Sequence, residues 1–237
     1  MSFVHLHNHT DYSFLDGVTK VKDMCRATAE MGMPAVALTD HGNLCGAIEF
    51  YKAAKNEGIK PIIGCELYLT AGSRKDKSKD VYGKAAPRYH LLVLAKNMTG
   101  YKNLMKLSSA GYLEGFYHRP RIDYEILERY HEGIICLSGC IQSHLSQSLL
   151  KKGENEARKV AGRFKDLFGD DFYLELQNHG LPEEQECGRF FNVLSREMNL
   201  KTVATNDSHY LKKEHADPHD ILPVSYTHLR AHETKAN

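Results

Sequence analysis

Near its N-terminus the chain reads FVHLHNHTDYSFLDG, with His5, His7 and His9 at every second position and Asp16 close behind. In an extended strand alternate side chains share a face, so three imidazoles would point the same way. Similar residues recur after later apolar runs: Asp40 and His41 in TDHG, Cys140 in LSGC, His179 in QNHG, Asp207 and His209 in TNDSH. Glu66 interrupts the apolar GCELYL, and His90 opens the run YHLLVLA rather than ending it. Each has an ordinary alternative: a packed core histidine, a helix-capping aspartate, a buried thiol acting as a small hydrophobe. Together they would gather many titratable groups in one place, where burial without partners is costly. Divalent metals neutralise such sets, taking histidine nitrogen, carboxylate oxygen and thiolate as ligands. Metal binding is therefore the expected chemistry.

The elements that must position these residues follow from the apolar pattern. Short β-branched or apolar runs occupy 3–7, 35–39, 60–69, 89–95, 133–138, 172–177 and 201–205. Between them lie helical patterns. The clearest is 154–169, with Ala157, Val160, Ala161, Phe164, Leu167 and Phe168 at helical spacing and Gly169 as its C-cap. Further helices are expected over 19–31, over 44–57 before Gly58, and over 182–199, which opens on Pro182 and two glutamates. Strands alternating with helices predict an α/β fold with a parallel sheet, and seven strands suit a closed or nearly closed barrel. In such barrels reactive groups cluster at the carboxyl ends of strands, where most of these residues fall.

Composition narrows the rest. The length of 237 residues suits one barrel-sized domain, 42% hydrophobic residues suffice for a core, and a net charge of +1 does not mark a nucleic-acid binder. No run of eighteen apolar residues and no secretory signal are visible, so no membrane partner is expected. The six cysteines, scattered without CxxC pairs, predict a reduced, cytoplasmic protein. Residues 70–88 are polar and basic (Arg74, Lys75, Lys77, Lys79, Lys84, Arg88) and predict a long loop.

At the motifs themselves the sequence resembles the polymerase and histidinol phosphatase (PHP) superfamily of metal-dependent phosphoesterases. FVHLHNHTDYSFLDG, ALTDHGNLCGAIEFY, KPIIGCELYL, HLLVLAKNMTGYKNL, FYHRPRID and ATNDSHYL together are similar to the N-terminal PHP domains of bacterial DNA polymerase III alpha subunits. The resemblance spans roughly residues 2–222. It implies a distorted seven-stranded (β/α)7 TIM-like barrel holding up to three divalent ions, zinc first, with manganese or iron as alternatives. Motif by motif, the implied metal ligands are His7, His9, Asp16, His41, Glu66, His90, Cys140, Asp207 and His209, with Glu66, Asp207 and His209 expected nearest the reaction. Spacing alone could not choose His7 and His9 over His5. All nine positions carry a competent residue, which favours an active domain over a decayed scaffold. Three divalent ions would outweigh the four negative ligands Asp16, Glu66, Asp207 and Cys140, leaving room for an anionic phosphodiester. The implied activity is metal-assisted hydrolysis of phosphodiesters, as a 3′→5′ proofreading exonuclease on a DNA primer 3′ end. Implied partners are the remainder of the polymerase chain and the replisome subunits.

Four further residues are candidates around the site. Asp40 is expected to orient a histidine, and His179 could contact substrate or simply pack. Arg119 and Arg121, interleaved with Tyr117 in YHRPR, could meet phosphate, or could be ordinary loop charges. Residues 1–222 are assigned to the PHP domain. Residues 223–237, PVSYTHLRAHETKAN, match nothing in the family and resemble translated read-through; His228, Arg230 and His232 are therefore discounted. The carboxylates of a polymerase active site are absent from this chain. Two other functions compete: a free-standing PHP phosphatase acting on a small phosphomonoester, and a metal-stabilised scaffold without activity.

Overall fold

The computed structural model describes residues 3–14, 16–78 and 86–224. In chain order the elements are α1 (Val21–Glu30), β1 (Ala35–Leu38), α2 (Ala47–Asn56), β2 (Lys60–Thr70), β3 (Tyr89–Ala95), α3 (Met98–Leu113), β4 (Phe116–Tyr117), β5 (Arg119–Asp123), α4 (Tyr124–Arg129), β6 (Ile134–Leu137), α5 (His144–Lys152), α6 (Glu154–Phe168), β7 (Phe172–Leu176), α7 (Pro182–Met198), β8 (Lys201–Ala204) and α8 (Ala216–Val224). The four helices read from the sequence are present, α6 with Ala157, Val160, Ala161, Phe164 and Phe168 buried along one stripe. The α8 helix runs across the expected boundary at residue 222, and residues 225–237 lie outside the described residues.

The strands form one curled sheet in the order β1, β2, β3, β6, β7, β8, with β5 and β4 added to the far end of β2. The expected first strand is not a regular one. Residues 3–9 make only single parallel bridges, His5 to Val36 beside β1 and Asn8 to Ser208 just past β8. Those two bridges join the sheet's opposite edges, so the irregular N-terminal segment closes a distorted barrel. Because the segment does not alternate as a strand would, His5 does not join His7 and His9; its ring stands edge-on to Phe3.

The sheet is also not parallel throughout. β3 runs antiparallel to both β2 and β6. A parallel return needs a crossover element, and the described part of the β2–β3 connection contains no helix. The reversal explains the odd position of His90: the first residues of β3 lie at the end of the barrel where its neighbours finish, with His90 opposite Tyr68.

Period-2 alternation divides the strand side chains. Cys65, Leu67 and Leu69 of β2, Leu91 and Val93 of β3, and Phe172 and Leu174 of β7 join the helices in the main core. Their neighbours face inward: Leu92 and Leu94 pack with Ala37 and Leu137 in a smaller interior cluster, while Glu66 and Glu175 approach the mouth. A third cluster seats α1 and α2 against β1 through Val36, Leu38, Phe50 and Met24.

Candidate metal centre

The mouth of the barrel brings together all nine residues implied as ligands. His7 and His9 leave the N-terminal segment; Asp16 follows on the turn after it. His41 stands just past β1, bridged to Glu66 of β2. His90 begins β3, Cys140 follows β6, and Asp207 and His209 follow β8. Glu66 is the hub: its Oε1 lies 3.4 Å from His7 Nε2 and 3.0 Å from His90 Nδ1, its Oε2 3.3 Å from His9 Nε2 and 2.9 Å from His41 Nδ1. Asp207 Oδ1 is 3.1 Å from both His7 Nε2 and His9 Nε2. Asp16 Oδ2 is 2.6 Å from His41 Nε2 and 3.1 Å from His209 Nε2. Cys140 Sγ sits at the edge, 3.6 Å from His90 Nδ1.

Burial is graded across this set. His7 and Glu66 side chains are 0% and 1% exposed, whereas Asp207 and His209 are 18% and Asp16 21% exposed. The centre therefore has a closed floor and opens on the side of Asp16, Asp207 and His209.

Second partners decide which atoms face the centre. Glu175 Oε1 accepts from His7 Nδ1 at 2.7 Å, leaving Nε2 bare. The Ser13 hydroxyl donates to Asp40 Oδ1 at 2.8 Å, so its oxygen accepts from His9 Nδ1 at 2.9 Å, again leaving Nε2 bare. His209 Nδ1 donates to the Asp207 carbonyl at 2.9 Å. Three imidazoles thus present Nε2 lone pairs to carboxylate oxygens. Such a pair repels unless a proton or a cation lies between its members. His7 Nε2, His9 Nε2, His41 Nδ1, both Glu66 oxygens and Asp207 Oδ1 are deeply buried and have no hydrogen-bond partner. Their donors fall into three overlapping groups compact enough to hold an ion: His7, His9 and Glu66; His9, His41 and His209; His41, Glu66 and His90. Nitrogen and oxygen donors of this kind suit divalent metals. The residues present fit the ions that the resemblance implies.

Electrostatics point the same way. Burial disfavours charge on His7, but Asp207, Glu175 and Glu66 outweigh it and raise its pKa. Burial likewise opposes charge on His209, yet Asp16 and Asp207 raise it to about 9. Burial would push Glu66 up, but His90, His7 and His41 hold it well below the usual carboxylate range. Cys140 differs: burial, with Glu66 and Asp207 nearby, pushes its thiol up. A cation would relieve each of these pairings and stabilise the thiolate.

The surrounding candidates separate clearly. Asp40 accepts the Thr10 amide at 2.7 Å and the Ser13 hydroxyl, so it orients His9 through Ser13 as expected for an orienting residue. His179 does not reach into the mouth. Its Nδ1 and amide meet Glu184 at 2.6 Å, and Nε2 donates to the Asn206 carbonyl at 2.7 Å, which steadies the loop carrying Asp207. Arg121 is not a phosphate contact. Its side chain is buried and donates to the carbonyls of Gly115, Arg74 and Asp76, which hold it away from the mouth. Arg74, expected in a solvated basic loop, is also buried, paired with Asp123 and Glu114. Lys79 and Lys84 lie outside the described residues. Arg119 remains near the site: its guanidinium lies 5.7 Å over the Tyr68 ring, which in turn stacks on His41. Gly42 makes this approach possible, since a Cβ there would lie 2.7 Å from Pro120 and its φ is +66°.

Sequence reasoning missed Glu175. The signal was available: in FYLELQ the apolar Phe172 and Leu174 face the helices, so Tyr173 and Glu175, out of phase with them, face inward.

Comparisons with known proteins agree with this geometry. A family model described as the PHP domain matches residues 5–179. The DNA polymerase III alpha subunits of Borreliella burgdorferi and Treponema pallidum are 49% and 47% identical over 220 and 223 residues, 93% and 94% of this chain but 19% of each relative. That of Aquifex aeolicus is 45% identical over 238 residues, 98% of this chain and 20% of the relative. The chain thus spans about a fifth of the length of these relatives. Among solved structures, an amidohydrolase from Chromobacterium violaceum superposes with a TM-score of 0.58 at 13% identity, covering 87% of both chains. A protein from Bifidobacterium adolescentis described as a metal-dependent phosphoesterase superposes with a TM-score of 0.53 at 14% identity, covering 88% of both. With a curled α/β barrel, a mouth lined by histidines and carboxylates, and a family match over most of its length, this chain belongs to the PHP-domain family.

Proposed function

We propose that this chain is the PHP domain of a bacterial DNA polymerase III alpha subunit and that it hydrolyses phosphodiesters, removing nucleotides from a DNA primer 3′ end. The observation that carries the hydrolase reading is the crowding of six buried, partnerless atoms from His7, His9, His41, Glu66 and Asp207 into overlapping groups compact enough to hold ions. His7, His9, Asp16, His41, Glu66, His90, Cys140, Asp207 and His209 would hold the ions, zinc first by donor type, manganese or iron otherwise. Bound there, divalent ions supply Lewis acidity to phosphoryl oxygens and make water more acidic. The chain's own residues do the rest. Glu175 and the Asp40–Ser13 pair fix two imidazoles so that their lone pairs stay aimed without reorganisation. The closed floor under Glu66 excludes solvent, and the open side by Asp16, Asp207 and His209 admits the scissile group. Arg119, half-buried over Tyr68, offers a guanidinium at this mouth for the phosphate of an approaching strand. The choice of DNA as substrate, and of the remaining polymerase chain and replisome as partners, rests on the relatives' names and their 42–49% identity. No helix among the described residues is long and apolar enough to cross a membrane, which accords with a cytoplasmic site of action.

The test is nucleotide release from a primer–template carrying a labelled, mismatched 3′ end, with Asp207→Asn as control. Release by the wild type that chelation and the substitution both abolish supports the proposal. A folded, metal-loaded protein that releases nothing from DNA but hydrolyses a phosphomonoester panel would replace it with the phosphatase function. Release from neither would leave a metal-stabilised scaffold.

A further inference from the structure

His219 is a buried histidine that neither the ligand motifs nor the expected core includes. It lies on α8, is 4% exposed, and its Nε2 donates to the main-chain carbonyl of Asp16 at 2.7 Å. Its ring packs 5.7 Å from that of His209 and 5.5 Å from that of Tyr210. Its other nitrogen lies 3.9 Å from the exposed carboxylate of Asp220. Asp16 is the carboxylate that spans His41 and His209, and it rides on a short turn held by the amides of Asp16 and Gly17 on the Ser13 carbonyl. That turn is tightly seated, since a Cβ at Gly17 would lie 2.1 Å from the Thr10 oxygen. Further along, the Val18 amide bonds to the His209 carbonyl. The Asp16 peptide is therefore gripped on its N–H side by Ser13 and on its carbonyl side by a residue two hundred positions away in sequence.

We propose that His219 is a positioning residue for Asp16: its hydrogen bond to the Asp16 carbonyl sets where the carboxylate stands between His41 and His209. The assignment deepens the metal-centre function proposed above and rests on it. A side chain held through its own peptide keeps its carboxylate in place only while that peptide is fixed, and losing an outer partner of a metal ligand typically weakens affinity roughly 10–100-fold. The effect should be confined to an ion held at His41 and His209, the two histidines that Asp16 spans. An ion held by His7, His9 and Glu66 would keep its own support in Glu175 and should bind as before. Helix α8 in this way fastens the open side of the centre, as Glu175 fastens its floor. His219 is not itself a ligand, because the nitrogen facing the centre carries the proton given to the Asp16 carbonyl and stands 3.9 Å from Asp16 Oδ1.

Two substitutions separate the hydrogen bond from the ring. His219→Phe keeps an aromatic ring against His209 and Tyr210 but loses the donor; His219→Gln keeps a donor near the Nε2 position but loses the ring. Zinc and manganese bound per chain would be measured by elemental analysis across a series of free-metal concentrations, on the full chain, with Asp16→Asn as reference. Thermal unfolding of the chelated proteins would be recorded alongside. The expected result is that Phe weakens one ion roughly 10–100-fold, as Asp16→Asn does, while Gln retains it and the remaining ions bind as in the wild type. Wild-type affinity in the Phe variant, equal losses in Phe and Gln, or unfolding of both chelated variants would overturn the positioning role. A folded wild type that binds no zinc or manganese at all would overturn the metal-centre function itself, an outcome distinct from the others.

Discussion

The barrel mouth and the node around Arg74 both bury charge, and they differ in what is left unsatisfied. In the node, Arg74 donates to both Asp123 oxygens and to Glu114, Asp123 also caps α4 through the Ile126 amide, and Arg121 is spent on three carbonyls. None of its charged side-chain atoms is among the buried partnerless ones. In the mouth, donors of like character face each other and six of their buried atoms have no hydrogen-bond partner. A satisfied buried cluster braces a fold, whereas one whose lone pairs converge is built to take up a cation. Strand β5 touches both regions: Arg119 at its start lies over Tyr68 at the mouth, while Arg121 is buried in the node on its three carbonyls.

Breaking the comparison at its strongest point means removing a ligand. Asp207→Asn takes the charge from an oxygen that meets both His7 and His9, and we expect metal-dependent hydrolysis to fall by more than about 100-fold, beyond the range typical for outer partners. Steady-state nucleotide release, with metal content measured on the same sample, checks it. The node should respond in the opposite currency. Arg74→Met leaves Asp123 buried without its counter-charge, so about 3–5 kcal/mol of stability is lost while metal stoichiometry is kept. Denaturant unfolding beside elemental analysis reads both, and a drop in bound metal would erase the distinction between the regions.

Smaller substitutions sharpen it. Glu175→Gln preserves shape but weakens the hold on His7 Nδ1, with an expected loss of roughly 10–100-fold in the affinity of the innermost ion. Competition against a chelator of known affinity measures that loss. Arg119→Ala should raise KM for DNA, leave kcat nearly unchanged and reduce the log–log salt slope by about 1, whereas Arg121→Ala should destabilise the protein without changing that slope. The smallest effect concerns a histidine that belongs to neither region. His144 is desolvated, with Lys152 and Arg163 adding repulsion, so its pKa falls to about 4 from 6.5. A folded value below the unfolded one means that only the unfolded chain gains a proton as the solution is acidified. His144 should therefore cost stability progressively between pH 6.5 and about 4 and nothing above that range. Subtracting the profile of His144→Gln from that of the wild type isolates this slope. His7 and His209 shift upward because nearby carboxylates outweigh their burial; His144, which bonds to the Tyr124 hydroxyl, shifts downward because burial prevails there.

Much of the candidate centre is legible in the sequence. Helices α1, α2, α6 and α7 follow from apolar spacing and their caps, and the recurrence of histidine, carboxylate and thiol beside strands announced a metal site. The resemblance then named His7, His9, Asp16, His41, Glu66, His90, Cys140, Asp207 and His209, which the fold gathers within contact of one another. These features are legible because they are local: a strand's alternation, a helix's stripe and a motif's residue types are carried by neighbours in sequence. What the chain could not disclose locally depended on partners brought from afar. The reversal of β3, which places His90 at the mouth, follows from a connection without a crossover. The irregular closure of the barrel decided that His5 stays outside while His7 and His9 enter. The turning-away of Arg121, the hold of Glu175 on His7 from 168 positions away and the grip of His219 on Asp16 from 203 were fixed only by tertiary packing. Residue type determines what a group can bind; the geometry of long-range contact determines which of its atoms remain free to do so.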